Sequence, residues 1–285
     1  MKLVRYGKPG RERPGLIDAQ GHLRDISDLV GDLGGDGLSP KRLAKVAKAK
    51  VEKLPLVSGK PRLGSCVARP GNFVAVGLNY ADHAAETGAA IPKEPILFNK
   101  AANCVVGPYD DVMMPRGSKK LDWEVELAIV IGTRASYLSE SEVMPHIAGF
   151  CICNDISERE FQAERGGQWM KGKSAPTFGP LGPWLVTPDE IADVQKLDMW
   201  LDVNGERCQR GSTATMIFNV VQVVSYISHF MTLDPGDVIT TGTPPGVGLG
   251  MKPPRFLNVG DTMSLGVEGL GRQAQRVVAW EKAEG

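Results

Sequence analysis

Asp122-Trp123-Glu124-Val125-Glu126-Leu127-Ala128-Ile129-Val130-Ile131-Gly132 is the stretch that decides the character of this chain. An acidic opening runs into an unbroken apolar segment that stops at a glycine, the pattern of a buried strand. Strand side chains alternate between faces, so Glu124 and Glu126 point the same way, about 7 Å apart. Two carboxylates on one face at the edge of a core are unfavourable unless something positive lies between them. Arg or Lys partners, a shared proton, or a metal ion would each answer that need.

Further apolar runs lie on either side: FVAVGL (73–78), GFCICND (149–155), LDMWLDVNG (197–205) and DVITTG (237–242), separated by Gly, Pro and Asn. One amphipathic helix is expected between them, from about Met216 to Met231. This predicts a β-rich α+β fold. Val203-Asn204-Gly205-Glu206 carries the Asn-Gly signal of a type I′ hairpin, and Leu233-Asp234-Pro235-Gly236-Asp237 is a second sharp turn. Residues 1–70 read as a small N-terminal β/α domain: KLVRY, a hairpin in PGLIDAQGHLRDIS, and a helix in SPKRLAKVAKAKVEKL with Leu43, Val46, Ala47 and Val51 on one face. PRLGSCVARP is its connector, and residues 71–285 form the main domain. No repeat of solenoid length is visible.

Lys plus Arg equals Asp plus Glu at 33 each. No overall field exists to attract nucleic acid or an anionic membrane, and a small-molecule partner fits better. The start, MKLVRYGKPG, has no apolar signal region, and no apolar run reaches the roughly 20 residues of a membrane span, so a cytoplasmic location is expected. The five cysteines form no C-x-x-C pair, which argues against structural zinc and disulfides. Cys151 and Cys153 read as small apolar residues of a core strand.

Asp155 closes the run GFCICND and would sit at a strand end, where a β-scaffold presents groups to a cleft. Three oxygen ligands without His or Cys suit a hard ion, Mg²⁺ or Mn²⁺. In GLNYADHAAETG, His83 and Glu86 are three apart and would be neighbours on a short helix, either as a base held by a carboxylate or as an ordinary surface pair. The long segment 157–184 has charges, glycines and prolines without periodicity, and such segments tend to be functional. It offers Lys171, Lys173, Arg159 and Gln162 as partners for a carboxylate or developing oxyanion. TTGTPPGVGLG is no phosphate loop, yet Thr241 and Thr243 with nearby N–H groups could hold a small carboxylate.

Taken together, GLNYADHAAE, DWEVELAIVIG, GFCICNDISERE, WMKGKS, TMIF and LDPGDVITTGTPPGVG resemble the fumarylacetoacetate hydrolase family, in the family's order, from about Phe73 to Glu268. The resemblance implies a catalytic domain of rolled, barrel-like mixed sheets, a homodimer, and Mg²⁺ or Mn²⁺ on Glu124, Glu126 and Asp155. It implies a lid dyad of His83 and Glu86, an active-site Lys173, and substrate contacts from Arg159, Gln162 and Thr243, with Lys100 of LFNK in another family-like segment. Along its whole length the chain looks like the branch containing L-2,4-diketo-3-deoxyrhamnonate hydrolases, and is also similar to ureidoglycolate lyase-like and acylpyruvate-hydrolysing relatives.

The expected reaction is hydrolysis of the C3–C4 bond of a 2,4-dioxo acid, releasing pyruvate and a carboxylic acid. Oxaloacetate decarboxylation and enol–keto isomerisation pass through the same chelated enolate, and a ureidoglycolate lyase-like activity is a further alternative. A non-catalytic dimeric binding protein on an inherited fold is the alternative outside enzymology.

Overall fold

Val125–Ile131 and Ile147–Asn154 are strands buried at every position, so each is apolar on both faces. They pair antiparallel in the computed structural model, which describes residues 1–281, with Cys153 opposite Glu126 and Asn154 opposite Val125. This register sets the end of one strand, where Asp155 follows, beside the start of the other, where the two glutamates lie.

These strands sit in the middle of a ten-stranded mixed sheet. Its path runs through residues 23–25, 13–17, 2–6, 179–186, 147–154, 125–131, 238–240, 73–77 and 96–99, and the short strand 105–106 joins 179–186 from outside that path. The path has two separate ends among the described residues, so the sheet does not close into a barrel. Its N-terminal members are joined to it directly, Lys2 opposite Val186 and Leu3 opposite Leu185.

A second sheet of five strands (206–212, 198–203, 262–267, 271–279, 112–114) packs against the first. Two buried glutamines stitch the layers: Gln273 Nε2 donates to the carbonyls of Ile152 at 2.8 Å and Gly182 at 3.0 Å, and Gln275 Oε1 accepts from Asn154 Nδ2 at 3.0 Å. Strand 198–203 turns into 206–212 through Asn204 (φ 52°) and Gly205 (φ 81°), the left-handed pair that a type I′ turn requires.

Helices are short and confined to the connections. Pro40–Lys48 starts at Ser39, whose Oγ accepts from Arg42 N, and buries Leu43 and Val46. It stops before Val51, which the apolar spacing had included. The expected helix from Met216 begins later, at Val220, and ends at Ser228. Asn219 caps it, with reciprocal bonds between the Asn219 and Gln222 side chains and backbones, so this helix does not extend back to Met216. Among the described residues no helix is long and apolar enough to cross a membrane. All five cysteines are free, and Cys151 and Cys153 are buried in the core strand as expected.

Candidate active site

The strand register brings Glu124, Glu126 and Asp155 together, with one carboxylate oxygen from each lying within 4.8 Å of the others. All three are buried. The neighbours of each differ, and that decides their charge. Glu124 Oε1 lies 2.7 Å from Arg159 Nη2, and its Oε2 accepts from Lys173 Nζ at 2.6 Å. Burial pushes the Glu124 carboxyl up, but Arg159 and Lys173 outweigh it and hold it down at about 2. Asp155 accepts from Lys100 Nζ at 2.5 Å on one oxygen and from Lys173 Nζ at 2.7 Å on the other.

Glu126 is the exception. It accepts one backbone bond, from Gly242 N at 2.8 Å, and among the described residues it has no cationic ion-pair partner. Burial, then the charges of Asp155 and Glu124, push its carboxyl well above the usual range. Three cations (Arg159, Lys173, Lys100) thus face four buried carboxylates, Asp122 included, and the unmatched one points into the cluster. This donor set fits a hard divalent ion: three buried carboxylates, one of them lacking a cation, and two of them already gathered around an ammonium.

His83 reaches this cluster because the chain reverses sharply after strand 73–77. Leu78 takes a left-handed φ of 50°, and the buried Asn79 ties the turn down, its amide bonded to Thr241 O at 2.8 Å and Phe218 N at 2.8 Å. The helix Ala81–Thr87 follows and ends on the left-handed Gly88. On it, His83 Nδ1 and Glu86 Oε2 are 3.1 Å apart. Glu86 also accepts from Gly246 N at 3.0 Å, and Asp82 accepts from the Thr215 hydroxyl at 3.1 Å, so the helix is docked at both ends. Nδ1–H donation to Glu86 leaves the Nε2 lone pair free.

Segment 157–184 is less of a loop than its composition suggested. It contains a strand pair (157–158 with 121–122), a π-helical turn at 160–164 and the helix Met170–Lys173. The buried Glu158 anchors it by accepting from Lys120 N at 2.8 Å and Phe161 N at 2.7 Å. Arg159 Nη1 donates to Gln162 Oε1 at 3.1 Å, so these two act together beside Glu124. Lys171 lies outside the cluster, bonded to Arg165 O.

Two proposed contacts sit differently. The Lys100 ammonium is wholly engaged behind the site, with Asp155, Ile156 O at 3.4 Å and Lys173 O at 2.5 Å. Thr243 does face the cluster, but its hydroxyl donates to Val125 O at 2.9 Å and accepts from Gln209 Nε2 at 2.8 Å. Thr241 likewise donates to Leu127 O at 2.9 Å. What this loop holds is the Glu126 carboxylate, through Gly242 N.

Two positioning residues escaped the sequence reading. Asp122, fully buried, accepts from Arg159 Nε at 2.8 Å, Gly248 N at 2.7 Å and Leu249 N at 3.0 Å, joining Arg159 to the loop on which Glu86 docks. The period-two spacing of 122, 124 and 126 held the signal for it. Gln209, from the second sheet, accepts from Val125 N at 2.9 Å and donates to Pro244 O at 2.9 Å, clamping the glutamate strand to the same loop. No local pattern marks it, because its partners are more than thirty residues away.

The cluster lines a pocket of about 110 Å³. Glu124, Glu126, Asp155, Arg159, Gln162 and Lys173 form its polar pole, Val76, Gly77, Leu78, Phe98 and Trp169 its apolar pole, and His83 also lines it.

Sequence comparison agrees with this geometry. The profile described as the C-terminal domain of fumarylacetoacetate (FAA) hydrolase matches residues 72–278. A protein of Burkholderia cenocepacia (strain HI2424), whose name assigns it provisionally to the hydrolases, is 56% identical over 97% of this chain and 98% of its own. The solved fumarylacetoacetate hydrolase of the psychrophile Exiguobacterium antarcticum superposes with a TM-score of 0.85 at 37% identity, covering 98% of this chain and all of that one. Maleylpyruvate hydrolase from Sphingobium sp. SYK-6, solved with manganese(II) and pyruvate, gives a TM-score of 0.79 at 26% identity over 99% of this chain and all of its own. A profile spanning most of the length, and relatives alike from end to end, make this chain a member of the fumarylacetoacetate hydrolase family.

Proposed function

We propose that the chain hydrolyses the C3–C4 bond of 2,4-dioxo acids, with Mg²⁺ or Mn²⁺ as cofactor, giving pyruvate and a carboxylic acid. The observation that carries this is one pocket lined by both a buried three-carboxylate cluster and a carboxylate-held histidine. The structural likeness to a maleylpyruvate hydrolase solved with manganese and pyruvate supports the same reading.

A divalent cation on Glu124, Glu126 and Asp155 would act as a Lewis acid toward negative charge on the 2-oxo oxygen. The protein's own groups supply the rest. Arg159 and Gln162 offer donors to the substrate carboxylate from the polar pole. His83, its ring set by Glu86, takes a proton from water as the oxygen adds to C4. The C3–C4 bond then breaks, its electron pair passing to the pyruvate fragment, and a proton is returned to C3. Lys173 stabilises the oxyanion at C4 or delivers that proton. Lys100, whose ammonium bonds Asp155 and two backbone carbonyls, acts as a positioning residue.

The test is pyruvate release from a panel of 2,4-dioxo acids, with Mn²⁺ and with a chelator. The wild type should release pyruvate only with metal. His83→Ala should lose on the order of 10²-fold or more in rate while still binding metal. Full pyruvate release in that variant would remove His83 from the water-activating step, and a metal-loaded wild type that releases no pyruvate would end the hydrolytic reading.

A further inference from the structure

The cavity of about 110 Å³ is small beside ligand pockets, which begin at roughly 300 Å³. A 2,4-dioxo acid entering with its carboxylate at the polar pole must place the acyl arm, the part beyond C4, against the apolar pole. Trp169 is the largest side chain lining that pole. The Trp169 indole lies flush on the backbone of Gly77, where an added Cβ would stand 2.4 Å from its Cζ3. Its other flank meets Phe98, ring centroids 5.3 Å apart and planes at 63°. Glycine at 77 and phenylalanine at 98 together give the indole a fitted seat.

Trp169 precedes the helix Met170–Lys173, yet that helix does not depend on the indole for its place. Gly172 is packed so closely that an added Cβ would lie 2.4 Å from Glu158 O and 2.6 Å from Gln162 N. Lys173 is held independently by Glu124 and Asp155. Removing the indole should therefore open the apolar pole and leave the polar pole intact.

We infer that Trp169, seated on Gly77 and Phe98, is the specificity-determining wall that restricts this enzyme to 2,4-dioxo acids with a short acyl arm. The inference rests on the reaction proposed above and deepens it. A hydrophobic wall discriminates between chain lengths by about 10-fold or more once extra methylenes must be excluded.

The test compares kcat/KM for 2,4-dioxopentanoate and 2,4-dioxodecanoate in the Mn²⁺-loaded wild type, Trp169→Ala and Trp169→Phe. The wild type should favour the short arm. Trp169→Ala should raise the long-to-short ratio by about 10-fold or more, and Trp169→Phe should keep it within a few-fold of wild type. Oxalate, which has no arm, should raise the melting temperature of the Mn²⁺-loaded wild type and Trp169→Ala equally, reporting an intact polar pole. A ratio unchanged in Trp169→Ala, or a wild type that cleaves the long arm as well as the short, overturns the wall while the hydrolytic reading stands. A wild type that releases pyruvate from neither substrate overturns both.

Discussion

Replacing Glu126 by Gln should make the metal-free protein more stable and deprive it of its response to metal. The amide keeps an oxygen for Gly242 N, the one bond Glu126 accepts. What disappears is a charge within 4.8 Å of two other carboxylates. At an effective dielectric of about 20, each such repulsion amounts to about 3 kcal/mol. Lys173 offsets part of it, and protonation relieves more, leaving a net gain of about 1–3 kcal/mol. For a chain of this size that is a rise of about 2–6 °C in melting temperature. The sign with pH follows from the raised Glu126 carboxyl. A folded-state pKa above the unfolded one means the native state holds a proton the unfolded state has lost, so wild-type stability falls as pH rises from the ordinary carboxylate range toward the folded value. The advantage of the variant should be absent at pH 4 and grow above it. In wild type, metal at about 100 times its Kd should add about 2.7 kcal/mol, and the uptake should release a proton from Glu126. Differential scanning calorimetry with chelator and with Mn²⁺ reads all of this. A variant less stable than wild type without metal, yet still stabilised by Mn²⁺, would refute the reasoning, for Glu126 would then be a structural hydrogen-bonding group.

Three other substitutions probe the surroundings. Asp122→Asn places an amide against N–H donors and weakens the ion pair with buried Arg159; it should lower stability by about 3–5 kcal/mol and reduce kcat, read by urea unfolding and by pyruvate release. Gly246→Ala should undock the His83 helix. Gly246 has φ 100° and a Cβ there would stand 2.0 Å from Cys208 O, so pyruvate release should fall at least 10-fold while calorimetry still shows Mn²⁺ binding. Lys100→Met removes one of the two cations on buried Asp155 and should lower the stability of the metal-free protein without a selective rise in KM, since Lys100 does not line the cavity; urea unfolding and substrate titration read the two effects.

Much of this protein could be read from local pattern. The buried strand after Glu126, the Asn204-Gly205 hairpin, and the His83–Glu86 pair on a short helix each depend on residues a few positions apart, where side-chain periodicity and turn chemistry are decisive. Strand alternation and a strand end raised the carboxylate set, and the family resemblance singled it out as a metal site. Tertiary structure decided which carboxylate lacks a cation, because Arg159, Lys173 and Lys100 come to the cluster from distant segments. It likewise turned Lys100 away from the cavity, engaged Thr243 with Val125 and Gln209, and seated Trp169 on Gly77. These outcomes are pairings across the chain. Charge balance and steric fit depend on distances in space, and no one-dimensional spacing encodes them.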